Sequence, residues 1–380
     1  MYEPTHSAEQ LKYLQSLSLD RKIMITQTRI IEWYEKLKGQ VYVSYSGGKD
    51  STVLLELARM AYPEIPAAFV NTGLEYPEIR SFALEHDGVV ELRPRWGKAG
   101  KQYDHKPEDI ITFKDVVTIW GYPIISKAVS NAIVEARRTP QGSRWERLHG
   151  NYRRLDGKRS QYDYSKYLPL YHLPFKISDE CCKVSKKGPA HIFQHETGKH
   201  PIIATMAEES LIRKQAWLVT GCNAFNAKEP ISKPMSFWTE QDVLHYIVRY
   251  GTEICSVYGE IIYEDECGMP YSAATGICTP ETRLKCSGCQ RTGCVFCAFG
   301  AHLEKGETRY QRLKRTHPQI YDFCMRGGQW QKNEKYDPQK KDPESWNPKE
   351  IWTPSKDGLG MAKVFDMVNE IYGKDFIRYE

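Results

Sequence analysis

Apolar positions along the chain fall into alternating helical and extended patterns. Leu11, Leu14 and Leu17, then Ile23, Ile30, Ile31, Trp33 and Leu37, recur at helical spacing, so residues 8–38 read as two helices that end at Lys38-Gly39. Val41 and Val43 begin a short buried strand, and Val53, Leu54, Leu57 and Ala58 share one face of a helix over Ser51–Met60. Ala67–Val70, Val89–Leu92 and Pro201–Thr205 read as further strands, with a helix starting near Pro77. Asp109–Val117 is mixed, Trp120-Gly121-Tyr122-Pro123 is a turn, and Ser126-Lys127 opens a helix. Thr239 caps a helix whose first turn holds Asp242, where a negative charge is favoured. Met361, Val364, Phe365, Val368 and Ile371 make Gly358–Tyr372 end in an amphipathic helix.

Between the first strand and its helix stands Ser46-Gly47-Gly48-Lys49-Asp50-Ser51. Two glycines allow a tight turn at positive φ and let backbone N–H groups approach an anion. The following helix start adds free donors and a positive dipole end. Lys49 supplies a point charge for phosphate oxygens, and Asp50 with the Ser51 hydroxyl can hold Mg²⁺ or cap the helix. The GxxxxGK[ST] spacing of a Walker A loop is absent. After the second strand comes Asn71-Thr72-Gly73-Leu74-Glu75. Ligands of open parallel sheets bind at the carboxyl ends of strands, which puts Asn71, Thr72, Gly73 and Glu75 among the candidate nucleotide contacts, with a plain capped turn as the alternative. Ser44 and Lys127 join that set, Lys127 as a cation able to reach a phosphate or simply as a solvated lysine.

Composition narrows the classes. The 380 residues, 41% hydrophobic, can bury one large core or two, and a net charge of +5 permits a nucleotide or nucleic-acid partner without requiring one. No N-terminal apolar segment and no run of about 18 apolar residues is present, so the expectation is a cytoplasmic protein with no membrane partner. Residues 137–168 interleave Arg137, Arg138, Arg144, Arg147, Arg153, Arg154, Lys158, Arg159 and Lys166 with Trp145, Tyr152, Tyr162, Tyr164 and Tyr167. That mixture suits a nucleic-acid acceptor and equally a solvated insertion.

Eleven cysteines without an export signal point to reduced thiols, a metal or a cluster. Cys181 and Cys182 are adjacent, which suits a turn or helix start presenting two sulfurs to one centre. Cys286-Ser-Gly-Cys289-Gln-Arg-Thr-Gly-Cys294-Val-Phe-Cys297 holds two CxxC pairs, a spacing that builds a tetrathiolate set. If all six sulfurs are used, a cluster plus a separate zinc follows, with Cys267 and Cys278 completing the zinc site beside Cys286 and Cys289. The expected organisation is a helical element over 1–38, a nucleotide-binding domain over 39–250 with the 137–168 insertion, a cysteine-rich segment over 251–325, and an extended segment with the last helix over 326–380.

Ser46–Ser51 resembles the SGGxDS pyrophosphate loop of the ATP pyrophosphatases. With Asn-Thr-Gly-Leu-Glu-Tyr-Pro-Glu, the Cys-Cys-Lys block, Ala207-Glu-Glu-Ser-Leu-Ile-Arg213 and Pro234-Met-Ser-Phe-Trp-Thr-Glu-Gln-Asp-Val243, the order resembles the phosphoadenosine phosphosulfate reductase family. The resemblance spans roughly residues 25–300 and implies a doubly wound parallel α/β sheet of the Rossmann-like adenine-nucleotide α-hydrolase type, with a cysteine-rich cluster-binding C-terminal region. It implies ATP and Mg²⁺ at the loop, with Arg213 on the nucleotide. It also implies a 4Fe-4S cluster held either by Cys181, Cys182, Cys294 and Cys297, as in adenylylsulfate reductases, or by Cys286, Cys289, Cys294 and Cys297, as in the DNA phosphorothioation members. The motif pattern is closer to the latter, ATP-using sulfur-transfer members, whose sulfur would come from a cysteine desulfurase. Reductase chemistry would instead need a late thiol, for which Cys324 is the last candidate. Lys49, Asp50 and Cys324 are therefore the expected catalytic residues, and a nucleotide- and cluster-binding subunit without turnover is the remaining alternative.

Overall fold

The computed structural model describes residues 5–380 apart from 154–155, 159, 161, 265–269, 273–280, 341 and 343–344. Cys267, Cys278, Arg154 and Arg159 lie outside the described residues. The chain divides into two compact units, each discontinuous in sequence. One comprises residues 1–71, 75–93 and 189–292, the other residues 72–74, 94–188 and 293–380. The segments 39–250 and 251–325 therefore each contribute to both.

The first unit is built on a six-stranded sheet in the order Val89–Leu92, Ala67–Val70, Val41–Tyr45, His200–Ile202, Ile231–Ser232, Asn223–Ala224. All pairings are parallel except the last, and Val43 stands opposite Ala67 on one side and Ile202 on the other. This is the mostly parallel α/β sheet expected from the sequence. The central strand is buried along most of its length, as strands inside a parallel sheet are. Val41, Val43, Val53, Leu54 and Leu57 are fully buried, and Ile30 and Trp33 of the Leu19–Lys36 helix close over the same core. Side chains of that size contribute about 1.5–3 kcal/mol each when removed from water. Two polar links lock this helix. Lys22 meets Asp242 at 2.6 Å, and Trp238 Nε1 donates to Thr26 Oγ1 at 2.8 Å. Asp242 also completes the Thr239 capping box read from the sequence. A small antiparallel sheet, Pro270–Ser272, Ile261–Glu264, Leu284–Cys286, carries the start of the cysteine segment, with Cys286 opposite Ile261.

The second unit is mainly helical. Val116, Ile124, Ala132, Ile133, Leu170, Phe175, Leu313, Val364 and Phe365 form its fully buried interior. The mixed stretch near 109–117 resolves into the helix Phe113–Trp120, started by a Thr112–Asp115 capping box. Residues 330–356 were expected to be extended surface. They hold a hairpin in which Gln329–Lys332 pairs antiparallel with Glu350–Thr353. The sequence pattern missed it because the Gln329–Lys332 strand is exposed along its whole length and shows no apolar alternation.

Candidate functional site

The site in the first unit begins with the turn after Val41–Tyr45. Gly47 has φ +69°, and a Cβ there would stand 2.9 Å from the Ile79 carbonyl oxygen. Gly48 differs from expectation: it is the extended N-cap of the helix Lys49–Ala61. Its missing side chain matters for space, since a Cβ would meet Tyr258 Oη at 3.2 Å. Ser51 ties the turn together. Its hydroxyl receives the Ser46 N–H at 3.2 Å and donates to the Gly48 carbonyl at 2.9 Å.

A cavity of about 340 Å³ opens at this turn. It is lined by the loop residues Ser44, Ser46, Gly48, Lys49, Asp50 and Ser51 on one side, with Glu209, Tyr258, Arg291 and Thr292 among those facing them. The Lys49 ammonium is buried, donates to the Gln290 carbonyl at 3.0 Å and pairs with Glu240 at 3.1 Å. The Lys49 N–H donates to Tyr258 Oη at 3.2 Å, and Tyr258 Oη lies 2.8 Å from Thr292 Oγ1. Burial raises the Tyr258 pKa, so the phenol stays neutral. Asp50 Oδ1 is buried without a hydrogen-bond partner among the described residues, with Lys49 Nζ 3.7 Å away. Burial raises the Asp50 pKa, Lys49 opposes the rise and Glu240 adds to it. A buried carboxylate short of partners beside a second carboxylate offers hard oxygen ligands for Mg²⁺. Arg213 pairs with Glu209, and burial lowers the Arg213 pKa, helped by nearby Arg291.

Ser44, Ser46, Gly48, Lys49, Asp50 and Ser51 thus come together as expected, with Arg213 reaching their cavity through Glu209. Gly47 faces Ile79 and Ala83 instead. Asn71, Thr72, Gly73 and Glu75 are not among the described residues lining the cavity. Within the first unit, Asn71 donates to Glu91. Tyr258, Glu240 and Arg291 had no assigned role. Tyr258 sits in no motif, and Arg291 lies between two CxxC pairs whose spacing signals metal ligands and not a cation.

The six candidate metal ligands separate between the units. Cys286 and Cys289 belong to the first; burial pushes the Cys286 thiol up to about 11, and Cys289 Sγ donates to the Arg291 carbonyl at 2.8 Å. Cys181, Cys182, Cys294 and Cys297 belong to the second. Cys181 and Cys182 sit on the short helical turn Glu180–Cys182, as their adjacency predicted. The Cys181 thiol is pushed up by its hydrogen bond with Cys182, by burial, and by Cys182, Cys297 and Cys294. Cys182 is drawn down by the same hydrogen bond and by Lys127 and Lys186. Lys127, expected on a phosphate, therefore stands beside a thiol in the second unit. The Arg309 guanidinium donates to the Cys297 carbonyl at 2.8 Å. Among the described residues, no three His, Cys, Asp or Glu side chains stand at metal-binding spacing.

Cys324 is fully buried with its sulfur 3.4 Å from Met361 Sδ, and burial holds its thiol far above the ordinary value. A sealed, protonated thiol does not suit the nucleophile expected there. Arg137 also departs from expectation. It is no free nucleic-acid contact, since its guanidinium donates to the carbonyls of Leu170, Tyr171, Leu173 and Phe175. Arg147 lies over the Tyr152 and Tyr162 rings at 4.7 and 4.9 Å. Arg138, Arg153, Lys158 and Lys166 are exposed. No helix among the described residues is long and apolar enough to cross a membrane.

Residues 40–109 match the model of the phosphoadenosine phosphosulfate reductase domain. No curated protein sequence matches the chain. A phosphoadenylyl-sulfate reductase from Candida auris, solved as a phosphate complex, is similar at 12% identity and TM-score 0.33, covering 67% of this chain and 92% of that one. An FMN adenylyltransferase from Candida glabrata is similar at 13% identity and TM-score 0.32, covering 68% and 72%. The part of the chain that matches the phosphoadenosine phosphosulfate reductase domain is thus the segment 40–109, which holds the glycine turn, its strand and the strands Ala67–Val70 and Val89–Leu92.

Proposed function

We propose that this protein is an ATP-using sulfur-transfer enzyme of the phosphoadenosine phosphosulfate reductase family, with nucleic acid as its acceptor and a 4Fe-4S cluster as its resident cofactor. The observation that carries the reading is the cavity at Ser46–Ser51, where a buried lysine and an under-partnered aspartate meet at the C-terminal end of a parallel strand. That pairing suits a magnesium nucleotide with several phosphates. The backbone of the turn and Lys49 would hold the phosphates, and Asp50 with Glu240 would hold Mg²⁺. An acceptor oxygen attacks the α-phosphorus, a new P–O bond forms, the α–β bond breaks and pyrophosphate leaves. The terminal sulfur of the donor persulfide then displaces the adenylated oxygen, which departs with AMP, and a second thiolate cleaves the resulting S–S bond, leaving sulfur on the acceptor and a disulfide in place of the two thiols. Lys49 stabilises the charge developing on the phosphate oxygens.

The donor chemistry of Cys181, Cys182, Cys294 and Cys297 fits an iron–sulfur cluster: four soft thiols in one unit, one drawn toward the thiolate by two lysines. Such a cluster supplies electron transfer or sulfur handling when bound. Cys286 and Cys289 are left for zinc. A cysteine desulfurase is the proposed sulfur donor. The exposed Arg138, Arg153, Lys158 and Lys166 support the nucleic-acid acceptor. The burial of Cys324 argues against sulfite-releasing reductase chemistry on that thiol.

The test is product analysis with purified protein, nucleic acid and a persulfide donor. Pyrophosphate released from ATP, and lost in Lys49→Ala, is the expected outcome. Sulfite released from adenylylsulfate or its 3′-phosphate, with ATP untouched, would overturn the reading.

A further inference from the structure

The cavity at the glycine turn has a second cationic wall that comes from the cysteine segment. Residues 288–292 run back onto the nucleotide turn inside the first unit. The Gly288 N–H donates to the Tyr258 carbonyl at 2.9 Å, and the Cys289 N–H donates to the Val257 carbonyl at 2.8 Å. The Gln290 carbonyl then takes the Lys49 ammonium, and Thr292 meets Tyr258. Arg291, between these two anchored neighbours, lines the cavity. Its Nη1 lies 3.6 Å from Glu209 Oε1, and the other Glu209 oxygen is taken by Arg213. Two guanidinium groups thus share one carboxylate, and Arg291 stands close enough to disfavour the charge on Arg213. Lys233 adds a further cation near Arg213. The acidic groups facing this array are Asp50, Glu209 and Glu240.

This is an arrangement prepared for a polyanion. Lys49, Arg213, Arg291 and Lys233 face Asp50, Glu209 and Glu240, so the cations outnumber the carboxylates. Arg291 is more than half exposed, at 57%, so it can turn from Glu209 to a ligand without breaking a buried bond. Guanidinium forks match phosphate oxygens in pairs, which a lone lysine cannot do. We infer that Arg291, from the segment between the two CxxC pairs, is a phosphate-binding residue of this cavity, held by Glu209 until a polyphosphate arrives. With Lys49 and Arg213 it forms a subsite that selects nucleotides by the number of their phosphates. The inference rests on the nucleotide reading of the same cavity and names how that ligand is chosen.

The experiment titrates ATP, AMP and tripolyphosphate, each with Mg²⁺, against the full-length wild type, Arg291→Gln, Arg291→Lys and Glu209→Gln by calorimetry. Arg291→Gln is expected to weaken ATP and tripolyphosphate by about tenfold, the loss of one charge-assisted pair, and to leave AMP within about twofold. Arg291→Lys should recover part of the loss. Glu209→Gln removes the competing carboxylate and should strengthen tripolyphosphate. Should Arg291→Gln fail to fold, by circular dichroism, the lysine and Glu209 variants carry the test. Wild-type affinity for ATP and tripolyphosphate in Arg291→Gln, or in Arg291→Lys together with an unchanged Glu209→Gln, would sink the inference and leave the nucleotide reading intact. Tripolyphosphate binding that depends on Arg291, with no preference for adenine, keeps the inference and removes the nucleotide reading. Wild-type protein that binds none of the three overturns both.

Discussion

Asp50 is the residue where the fold and the chemistry pull in opposite directions. Its carboxyl is buried beside Glu240, and burial raises its pKa despite Lys49. A carboxyl whose folded pKa lies above its unfolded one is favourable below the unfolded value and costs stability as pH rises through the folded value. Asp50→Asn should therefore raise the melting temperature at pH 7, with the gain shrinking as pH is lowered toward about 4, the ordinary aspartate range. The same substitution should weaken Mg²⁺-nucleotide binding. A melt series across pH, with calorimetry at pH 7, checks both, and a variant less stable at pH 7 would contradict the argument. Gly47 gives a second test at this scale. An alanine would adopt φ +69° and crowd the Ile79 carbonyl. Gly47→Ala should cost about 2 kcal/mol in denaturant melts, more than the left-handed backbone alone. Gly48→Ala keeps an ordinary φ of −82° and should act mainly on the Tyr258 contact.

Among elements, the loop between Leu170 and Phe175 depends on one cation. Arg137, at the end of the helix Lys127–Arg138, satisfies four of its carbonyls and stacks on Trp346 at 4.3 Å. Arg137→Ala leaves those carbonyls unpaired and should cost about 3 kcal/mol. Arg137→Lys should recover little, because an ammonium cannot reproduce the fork. Denaturant melts read this. Nucleic-acid binding by the folded fraction should not change, whereas Arg153→Glu should weaken it at low salt. In the 137–168 stretch, composition could not separate a cation that braces the backbone from one that faces solvent, since both are arginines amid aromatics. Periodicity did locate the buried strand Ala67–Val70, whose burial leaves a mark in the residue types, and the partly exposed edge strand Val89–Leu92. It missed the exposed hairpin strand and the return of residues 288–292 onto Lys49, because hydrogen bonds between distant segments leave no local pattern.

At the scale of the whole molecule, the division into units separates cysteines that their spacing groups together. Two CxxC pairs in a row read as one tetrathiolate set, yet Cys286 and Cys289 fall in one unit and Cys294 and Cys297 in the other with Cys181 and Cys182. Iron and acid-labile sulfide in anaerobically purified protein should drop to background in Cys182→Ala and Cys297→Ala and persist in Cys286→Ala and Cys289→Ala. The reverse pattern would restore the set made by the four consecutive cysteines. No reading of adjacency could have drawn this line, because the chain passes between the units inside the cysteine segment itself, after Thr292.

That passage sets the order of assembly during synthesis. The first unit closes once residue 292 has left the ribosome, while the second still lacks everything from residue 293 onward. Cys181 and Cys182 are then already made and wait, without their partners, on a nascent chain whose nucleotide turn can fold. A nascent chain stalled just after Thr292 has emerged should therefore protect the first unit from protease yet leave Cys181 and Cys182 open to alkylation. If the proposed cluster is bound, its loading falls in the last stage of synthesis, after Cys294 and Cys297 are made.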